Sequence, residues 1–281
     1  MMLFLHVLML ILLSGGSARV VKNFEPKCHA FFAIGKSPTT FTGSQYKQIC
    51  QTRSDVVHFA TYYDTDNRIP VYSAYKFKGK MDCTRQNNWL IEPQLDGETG
   101  PNMASEGSVD KDLRGIHQAL DGDYENSGFD RGHLAPVYQA QSQSCADATF
   151  TLTNAAPQDP SFNRGQWKEL ERNMAETLSK QCKEYSVFIV TGVTPGRNKI
   201  KTDRVNVPSH FWTAYCCLDK NGICQISKGF IGKNENNPPE EKNVNDLEKD
   251  LARLYGVTSF EVFDSDTEPI EPKPRKRIKL F

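Results

Sequence analysis

The stretch that decides the fold reads Phe129-Asp130-Arg131-Gly132-His133-Leu134-Ala135-Pro136, and it is followed at set intervals by Asn154, Asn163 and Glu171. Together these positions supply a proton acceptor, a cation suited to phosphate, neutral oxygen donors and a carboxylate. That inventory suits the hydrolysis of a phosphodiester with the help of one hard metal ion. Each residue alone means little, so the order and the spacing carry the prediction.

His133 is the candidate general base. An unperturbed imidazole has a pKa near 6.5, so it can accept a proton from water at neutral pH. A structural role is the competing interpretation of any isolated histidine, but the neighbours of His133 favour chemistry. Gly132 permits a close approach of the backbone, and Arg131 offers a planar donor fork for phosphate. Asp130 is expected to orient one of its neighbours, or else to be a turn residue paired with an arginine.

Asn163 is the candidate metal ligand, since Mg²⁺ prefers oxygen donors and keeps several waters. It precedes a predicted helix, so an N-cap role is the alternative. Glu171 lies eight residues further on, which is roughly 12 Å along a continuous helix. We therefore expect Glu171 to hold a metal-bound water, or otherwise to be an exposed glutamate paired with a cation. Asn154 is expected to position that water or the phosphate, or to make a turn.

These motifs resemble those of a known family. The block 129–136, the stretch Thr153-Asn154-Ala155-Ala156-Pro157-Gln158 and the set Asn163, Trp167, Leu170 and Glu171 are similar to the DNA/RNA non-specific endonuclease family, the ββα-metal nucleases. Within that family the chain looks most like the endonuclease domain-containing 1 branch, to which the stretch Asn67-Arg68-Ile69-Pro70-Val71-Tyr72-Ser73-Ala74-Tyr75 also points. The similarity extends over about residues 50 to 265.

The resemblance implies that His133 is the general base, that Asn163 is the metal ligand and that Glu171 is the carboxylate that fixes the metal's waters. It also implies that Asn154 and Arg131 are supporting polar residues. Arg85, ahead of Trp89, is a looser match to a further family arginine. The resemblance also implies Mg²⁺ as cofactor, with Mn²⁺ as a substitute, and DNA and RNA as substrates cut with little sequence preference. The alternative is a catalytically inactive member that binds nucleic acid or protein.

The periodicity of the chain predicts an α+β fold with a central, mostly antiparallel sheet flanked by helices and a ββα-metal motif at the site. Strands 56–63 and 69–77 are expected to form a hairpin around the turn 64–67. Residues 19–50 look irregular. Further strands are predicted at 149–154, 186–191, 211–218, 223–231 and 257–263, and helices at 109–120, 166–180 and 244–254.

The N-terminus predicts export. Residues 2–13 are apolar except for His6, and small residues follow up to Ala18, so we expect a signal peptide over residues 1–18 and an endonuclease domain over 19–264. A membrane anchor is the alternative, although a span needs about 20 apolar residues. Eight cysteines behind such a signal predict disulfides in a secreted protein. Cys216 and Cys217 should have different partners, because adjacent side chains on a strand point to opposite faces.

Charge is balanced overall but unevenly placed. The chain has 34 basic and 34 acidic residues, and five of the basic ones lie in residues 273–281, so residues 1–272 carry 29 − 34 = −5. A nucleic-acid binder usually has a strongly basic body, so any such site here must be a local basic cleft helped by a metal. Residues 265–281 are predicted to be a disordered tail, with a nuclear import signal as the alternative.

Overall fold

A computed structural model describes residues 20–24, 26–200 and 203–267 of the chain. The predicted signal peptide and residues 268–281 of the predicted tail lie outside the described residues. Ser265–Thr267 form a 3-10 turn in which Thr267 is buried, so these three residues belong to the folded domain and not to the tail. In the described part of the chain, every helix is too short or too polar to cross a membrane.

Strands dominate the described chain. They are β1 (Val20–Val21), β2 (Tyr46–Arg53), β3 (Val56–Asp64), β4 (Ile69–Phe77), β5 (Asp130–His133), β6 (Ala155–Gln158), β7 (Ser186–Thr194), β8 (Lys199–Ile200), β9 (Val205–Asn206), β10 (His210–Leu218), β11 (Cys224–Lys233) and β12 (Glu240–Lys242). Eight of them form one antiparallel sheet in the order β1-β2-β3-β4-β7-β10-β11-β12. The pairs β5-β6 and β8-β9 are separate small sheets. The predicted α+β class with a mostly antiparallel sheet is confirmed.

Five short or medium helices accompany the sheet. They are α1 (Asp121–Tyr124), α2 (Gln143–Ala148), α3 (Pro160–Phe162), α4 (Lys168–Gln181) and α5 (Val244–Tyr255). The two long ones, α4 and α5, match the predicted amphipathic segments. The predicted hairpin is also present, because the Asp64 carboxylate accepts the N–H groups of Asp66 and Asn67, each at 3.0 Å, and so closes the turn between β3 and β4.

The central sheet is buried on both faces. Along β10, Cys216 packs into the core beneath α5, beside Leu251, while Tyr215 packs into the core beneath α4, beside Leu178. This alternation is the two-residue period of a strand. The central strands β3, β4, β7 and β10 are therefore buried along nearly their whole length, and the two amphipathic helices cover opposite sides of one sheet.

Three disulfides tie the elements together: Cys28–Cys50, Cys182–Cys217 and Cys216–Cys224. The prediction that the adjacent cysteines have different partners is confirmed. Cys216 bonds within the sheet to Cys224 on the neighbouring strand, and Cys217 bonds on the other face to the end of α4.

The prediction of a helix over residues 109–120 is wrong. Gly115 adopts a φ of 80°, and the N–H groups of Gly115 and His117 donate to the buried carboxylate of Asp96 at 2.7 and 2.9 Å. In a helix these two N–H groups would donate to backbone carbonyls, so their bonds to Asp96 remove two helical hydrogen bonds. The strand predicted at 149–154 is also wrong, since Thr149 bonds back to the end of α2 and Leu152–Asn154 form a 3-10 turn. The strand begins only at Ala155, in β6.

Two further expectations fail at the ends of the domain. The segment 257–263, which contains Phe260 and Val262, is not the predicted strand. Both are buried, yet the N–H of Val262 donates to the Glu248 carboxylate at 2.7 Å, so a side chain takes the place of a partner strand. The region 19–50, expected to be irregular, contributes β1 and most of β2. Strand β2 has few apolar residues, and its pairing with β3 determines its conformation.

Candidate active site

The candidate site is built on a ββα unit in which β5 and β6 pair antiparallel and the chain then enters α3 and α4. Gly132 pairs with Ala156, and His133 pairs with Ala155 at the end of the ladder. A Cβ atom on Gly132 would lie 2.3 Å from Oε1 of Gln158 and 2.6 Å from its Cβ. Glycine is therefore required for close packing rather than for an unusual φ.

His133 ends β5 with its side chain in an aromatic enclosure. Its ring centroid lies 4.9 Å from those of Trp89 and of Phe150, and its Nε2 is buried with no hydrogen-bond partner among the described residues. Burial, together with the charge of Arg85, lowers the pKa of His133 to about 3. The imidazole is therefore neutral at neutral pH, with a nitrogen ready to accept a proton.

Asn163 is oriented by Asp130. Its Nδ2 donates to Oδ2 of Asp130 at 2.9 Å, which leaves Oδ1 as the remaining polar end of the amide. The alternative of an N-cap role is wrong, because Asp159 is the cap and accepts the N–H groups of Ser161 and Phe162 at 2.9 and 3.0 Å. Asp130 also bonds to the Nε of Arg164 at 2.8 Å. Asp130 therefore orients Asn163 and neither of its chain neighbours, and it has the predicted arginine partner, although it lies in β5 and not in a turn.

The first turn after Asn163 is distorted. Asn163–Trp167 form a π-helical turn, and inside it Gly165 has φ −105° and ψ −106°, outside the helical region. Such turns are frequent at functional sites. A separation of roughly 12 Å between Asn163 and Glu171 requires a continuous α-helix, and this distortion removes that condition. Both side chains line the same cleft. The water-mediated role of Glu171 stays a prediction.

Glu171 is not an ordinary exposed helix glutamate. Burial raises its pKa to about 8, against the opposing charges of Arg85 and Lys168. Near neutral pH the carboxyl is therefore mostly protonated in the absence of a cation, and a bound cation would favour its charged form. This behaviour suits a residue that becomes an oxygen donor when a metal is present.

The two predicted arginines reach the same cleft from different segments. Arg131 donates to the backbone oxygen of Asp121 at 3.1 Å and forms an ion pair with its carboxylate. Its guanidinium also lies 5.6 Å from the ring of Trp89. Arg85 is exposed and lies 5.2 Å from the ring of Phe150. The charge of Arg85 acts on both His133 and Glu171, so the structure brings all three together.

Asn154 is placed differently. Its side chain is fully buried and makes four hydrogen bonds, accepting from Ser73 and the N–H of Ala135 and donating to the carbonyls of Ala135 and Thr149. Its amide is therefore saturated by the protein itself. Asn154 holds the chain immediately after His133 and does not face the cleft.

The cleft itself has a volume of about 640 Å³ and is rich in cations. The balance is 6 − 3 = +3 with Glu171 ionised and 6 − 2 = +4 with Glu171 protonated, from six basic and three acidic side chains: Lys80, Arg85, Arg131, Arg164, Lys168 and Arg172 against Asp82, Asp130 and Glu171. The body of the chain is net negative, so the positive potential is concentrated here. This is the local basic cleft that the charge balance required.

The donor set fits a hard cation. The amide oxygen of Asn163 and the carboxylate of Glu171 are both oxygen donors, which Mg²⁺ prefers, and Mg²⁺ needs few protein ligands because it keeps waters. Among the described residues, no three His, Cys, Asp or Glu side chains gather into a metal-binding cluster. The candidate metal site rests on one amide and one carboxylate.

Comparison with known proteins agrees with this geometry. The model of the DNA/RNA non-specific endonuclease family matches residues 37–264. The chain belongs to this family. An endonuclease domain-containing 1 protein of Homo sapiens is 34% identical over 263 residues, covering 90% of this chain and 51% of that protein. The mitochondrial endonuclease G of Homo sapiens is 32% identical over 145 residues, covering 46% of this chain and 48% of that protein.

A solved structure supports the fold of this non-specific endonuclease family member. A crystal structure of an EndoG/EndoGI complex matches with a TM-score of 0.55 at 20% identity, covering 77% of this chain and 87% of that chain. This similarity shows that the chain has the ββα-metal nuclease fold. The chain spans about half the length of the curated relatives it matches.

Several residues of the cleft were not predicted from the sequence. Trp89 and Phe150 enclose His133, and their meeting depends on the bonds that Leu90 makes to Phe150 and Leu152, a long-range contact with no local signal. The basic residues Arg164, Lys168 and Arg172 also line the cleft. Lys168 and Arg172 are four residues apart, which puts them on one side of α4, and this signal was available in the sequence. Arg164 precedes them in the π-helical turn.

Proposed function

We propose that the chain is a secreted, Mg²⁺-dependent endonuclease that hydrolyses phosphodiester bonds of DNA and RNA with little sequence specificity. The observation that carries the proposal is the neutral His133, which lines a cation-rich cleft and whose buried Nε2 has no hydrogen-bond partner among the described residues. Asn163 and Glu171 line the same cleft. A proton acceptor, phosphate-binding cations and hard oxygen donors therefore converge on one volume.

His133 acts as the general base. Its neutral ring accepts a proton from the water that attacks phosphorus, and contacts with Trp89 and Phe150 hold the ring in one orientation. With a pKa near 3, His133 is a weak base before the substrate binds. A phosphate brings negative charge close to the ring, which favours the imidazolium and raises that pKa towards the useful range.

The metal site uses Asn163 and Glu171, the former oriented by Asp130. When bound, Mg²⁺, or Mn²⁺ as a substitute, neutralises the phosphate and stabilises the leaving 3′ oxygen. Glu171 would hold a water of the metal through its carboxylate, and it would have to be deprotonated for that role. Asn154 contributes by fixing the segment that follows His133.

The basic residues bind the backbone of the substrate. Arg131 and Arg85 stabilise charge on the scissile phosphate, and Arg164, Lys168 and Arg172 extend the positive surface along α4. Contacts to phosphate and sugar position a nucleic acid without selecting sequence. We therefore expect 5′-phosphate products from both DNA and RNA. The three disulfides are consistent with an oxidising, extracellular location.

The test is cleavage of plasmid DNA and of RNA by purified protein, with Mg²⁺ and with EDTA. His133→Ala should lose about 10²–10⁴-fold in rate, the usual contribution of a general base. His29→Ala is the matched control, because His29 is exposed in a 3-10 turn outside the ββα unit. Undiminished cleavage by the His133 variant, or Mg²⁺-independent cleavage, contradicts the assignment. Binding without cleavage at saturating Mg²⁺ or Mn²⁺ favours the inactive alternative.

A further inference from the structure

Two of the eight cysteines stand outside the three disulfides, and they lie together. Cys83 is half-buried and Cys145 is buried. Cys83 packs against a small apolar cluster made of Cys145, Ala140 and Ala146. The two thiols also interact electrostatically. Every other cysteine of the chain is already paired, so these two are each other's only available intramolecular partner.

Neighbouring hydrogen bonds hold the two segments in register. The N–H of Thr84 donates to the side-chain oxygen of Gln143, and the Gln143 amide donates back to the carbonyl of Thr84, both at 2.8 Å. Thr84 follows Cys83 directly, and Gln143 precedes Cys145 by two residues at the start of α2. The reciprocal pair therefore docks the segment that carries Cys83 onto the helix that carries Cys145.

Cys83 belongs to a loop, residues 78–89, that has neither helix nor strand. The loop forms one wall of the candidate active site and contributes Lys80, Arg85 and Trp89 to it. Trp89 packs on His133, and the charge of Arg85 acts on His133 and Glu171. Whatever holds this loop in place also positions the surroundings of the general base.

We propose that Cys83 and Cys145 form a fourth, redox-sensitive disulfide that fixes the loop 78–89 in its working position over the candidate active site. Cys83 lines the cleft and is the accessible member of the pair, whereas Cys145 lies behind it in the protein. The disulfide itself stands on the position of the two thiols. Its effect on cleavage rests on the proposed nuclease function.

The chemistry is thiol–disulfide exchange with a small-molecule disulfide such as glutathione disulfide. The Cys83 thiolate attacks one sulfur of that disulfide and displaces one thiolate. Burial raises the pKa of the Cys145 thiol, so it reacts second, attacking the Cys83 sulfur and displacing the other small thiolate. Two protein thiols lose two electrons and two protons, and the reduced small molecule leaves as two thiols.

Reduction should loosen the loop because its remaining anchors are weak. The Thr84–Gln143 pair is exposed to solvent, and Lys80 is exposed where it contacts Tyr138. The contacts of Arg85 and Trp89 with Phe150 lie towards the far end of the loop. Segments held by few, exposed contacts open locally at little free-energy cost. A displacement of about 1 Å in a catalytic arrangement can lower a rate by about 10²-fold.

The first test is chemical and needs no activity. The full chain is incubated with glutathione disulfide, the remaining thiols are alkylated, and the protein is digested without reduction for mass spectrometry. We expect a peptide pair linked through Cys83 and Cys145, absent from Cys83→Ala and from Cys145→Ala. Two alkylated thiols at these positions after oxidation would overturn the proposal. Cys83→Ala changes only a half-buried side chain, which keeps the control interpretable if Cys145→Ala is unstable.

The second test couples the bond to the site. Oxidised protein should cleave plasmid DNA about 5- to 100-fold faster than protein treated with mild dithiothreitol. The Cys83→Ala variant should cleave at the rate of the reduced form, and dithiothreitol should not change that rate. Mass spectrometry verifies that the three buried disulfides survive the treatment. Equal rates in both redox states overturn the coupling. If neither redox form cleaves DNA, the proposed nuclease function fails instead. The disulfide and its effect on the loop are then still tested by the linked peptide and by slower amide hydrogen exchange of residues 78–89 on oxidation.

Discussion

Neutralising the cations at and just before the start of α4 should weaken nucleic-acid binding in a way that salt dependence can measure. Arg164, Lys168 and Arg172 recur every four residues and all line the cleft. Lys168 and Arg172 lie on α4, about 6 Å apart along its axis at about 1.5 Å per residue, and Arg164 lies in the π-helical turn just before them. One DNA strand carries a phosphate about every 3.4 Å along the helix axis. The row is therefore long enough for each cation to contact a separate phosphate. The perturbation is the triple variant Arg164→Gln, Lys168→Gln and Arg172→Gln.

The magnitude follows from counterion release. Each phosphate contact contributes about 0.9 to the slope of log K against log salt for duplex DNA. Three contacts predict a loss of about 2.7 in that slope. Arg164 is already paired with Asp130 through its Nε at 2.8 Å, so its charge is partly compensated, and two contacts predict about 1.8. We expect a loss between these values.

The assay is fluorescence anisotropy with labelled duplex DNA over a range of NaCl concentrations, in the His133→Ala background so that the probe survives. The charge-matched control replaces Lys180, Lys183 and Lys249 by Gln. All three are exposed and none of them lines the cleft. The control should leave the slope close to that of the parent. A triple variant whose slope equals that of the control would refute the assignment of this side of α4 to the phosphate backbone.

Three further changes test the packing and the electrostatics of the site. Gly132→Ala places a Cβ 2.3 Å from Oε1 of Gln158, so thermal unfolding should show a loss of about 1–3 kcal/mol; Gly100→Ala, with nothing within 4 Å, is the control, and equal melting temperatures would contradict the clash. Asn154→Ala leaves several buried groups without partners and should lose at least about 1–3 kcal/mol in urea denaturation; an unchanged unfolding midpoint would mean that its bonds are dispensable. Glu171 has a pKa of about 8, so its deprotonation makes Mg²⁺ affinity rise with pH up to that value and level off above it, as calorimetry can measure. Glu171→Gln should bind more weakly with no such rise, and a pH dependence that persists in that variant would assign it to another group.

Local patterns in the sequence sufficed for most of the scaffold. The hairpin of β3 and β4 was predictable because β-branched and aromatic residues flank a turn whose Asp64 binds its own backbone. Helices α4 and α5 were predictable because their apolar residues repeat at the helical period. The failures at 109–120 and 257–263 share one cause. Distant carboxylates, those of Asp96 and Glu248, accept backbone N–H groups that a local pattern would assign to a helix or a strand.

Residue types and their order also selected the candidate site. His133, Asn163, Glu171, Arg131 and Arg85 were all chosen from the sequence, and the structure brings them to one cleft. Asn154 belongs to the same motif but supports the cleft from behind. A motif records which residues occur together in a chain. It does not distinguish a side chain that faces a substrate from one that supports the backbone.

The sequence by itself determined the fold class, the pairing of adjacent cysteines with different partners, and the inventory of chemical groups, because these depend on composition and on short-range periodicity. The tertiary structure alone decided which partner each group has and how deeply it is buried. Asp130 and Arg131 are neighbours, yet alternate side chains on a strand point apart, so Asp130 turns to Asn163 while Arg131 turns to Asp121. Burial made His133 neutral and raised the pKa of Glu171. Burial is a property of the packed chain, so no reading of the motif could supply it.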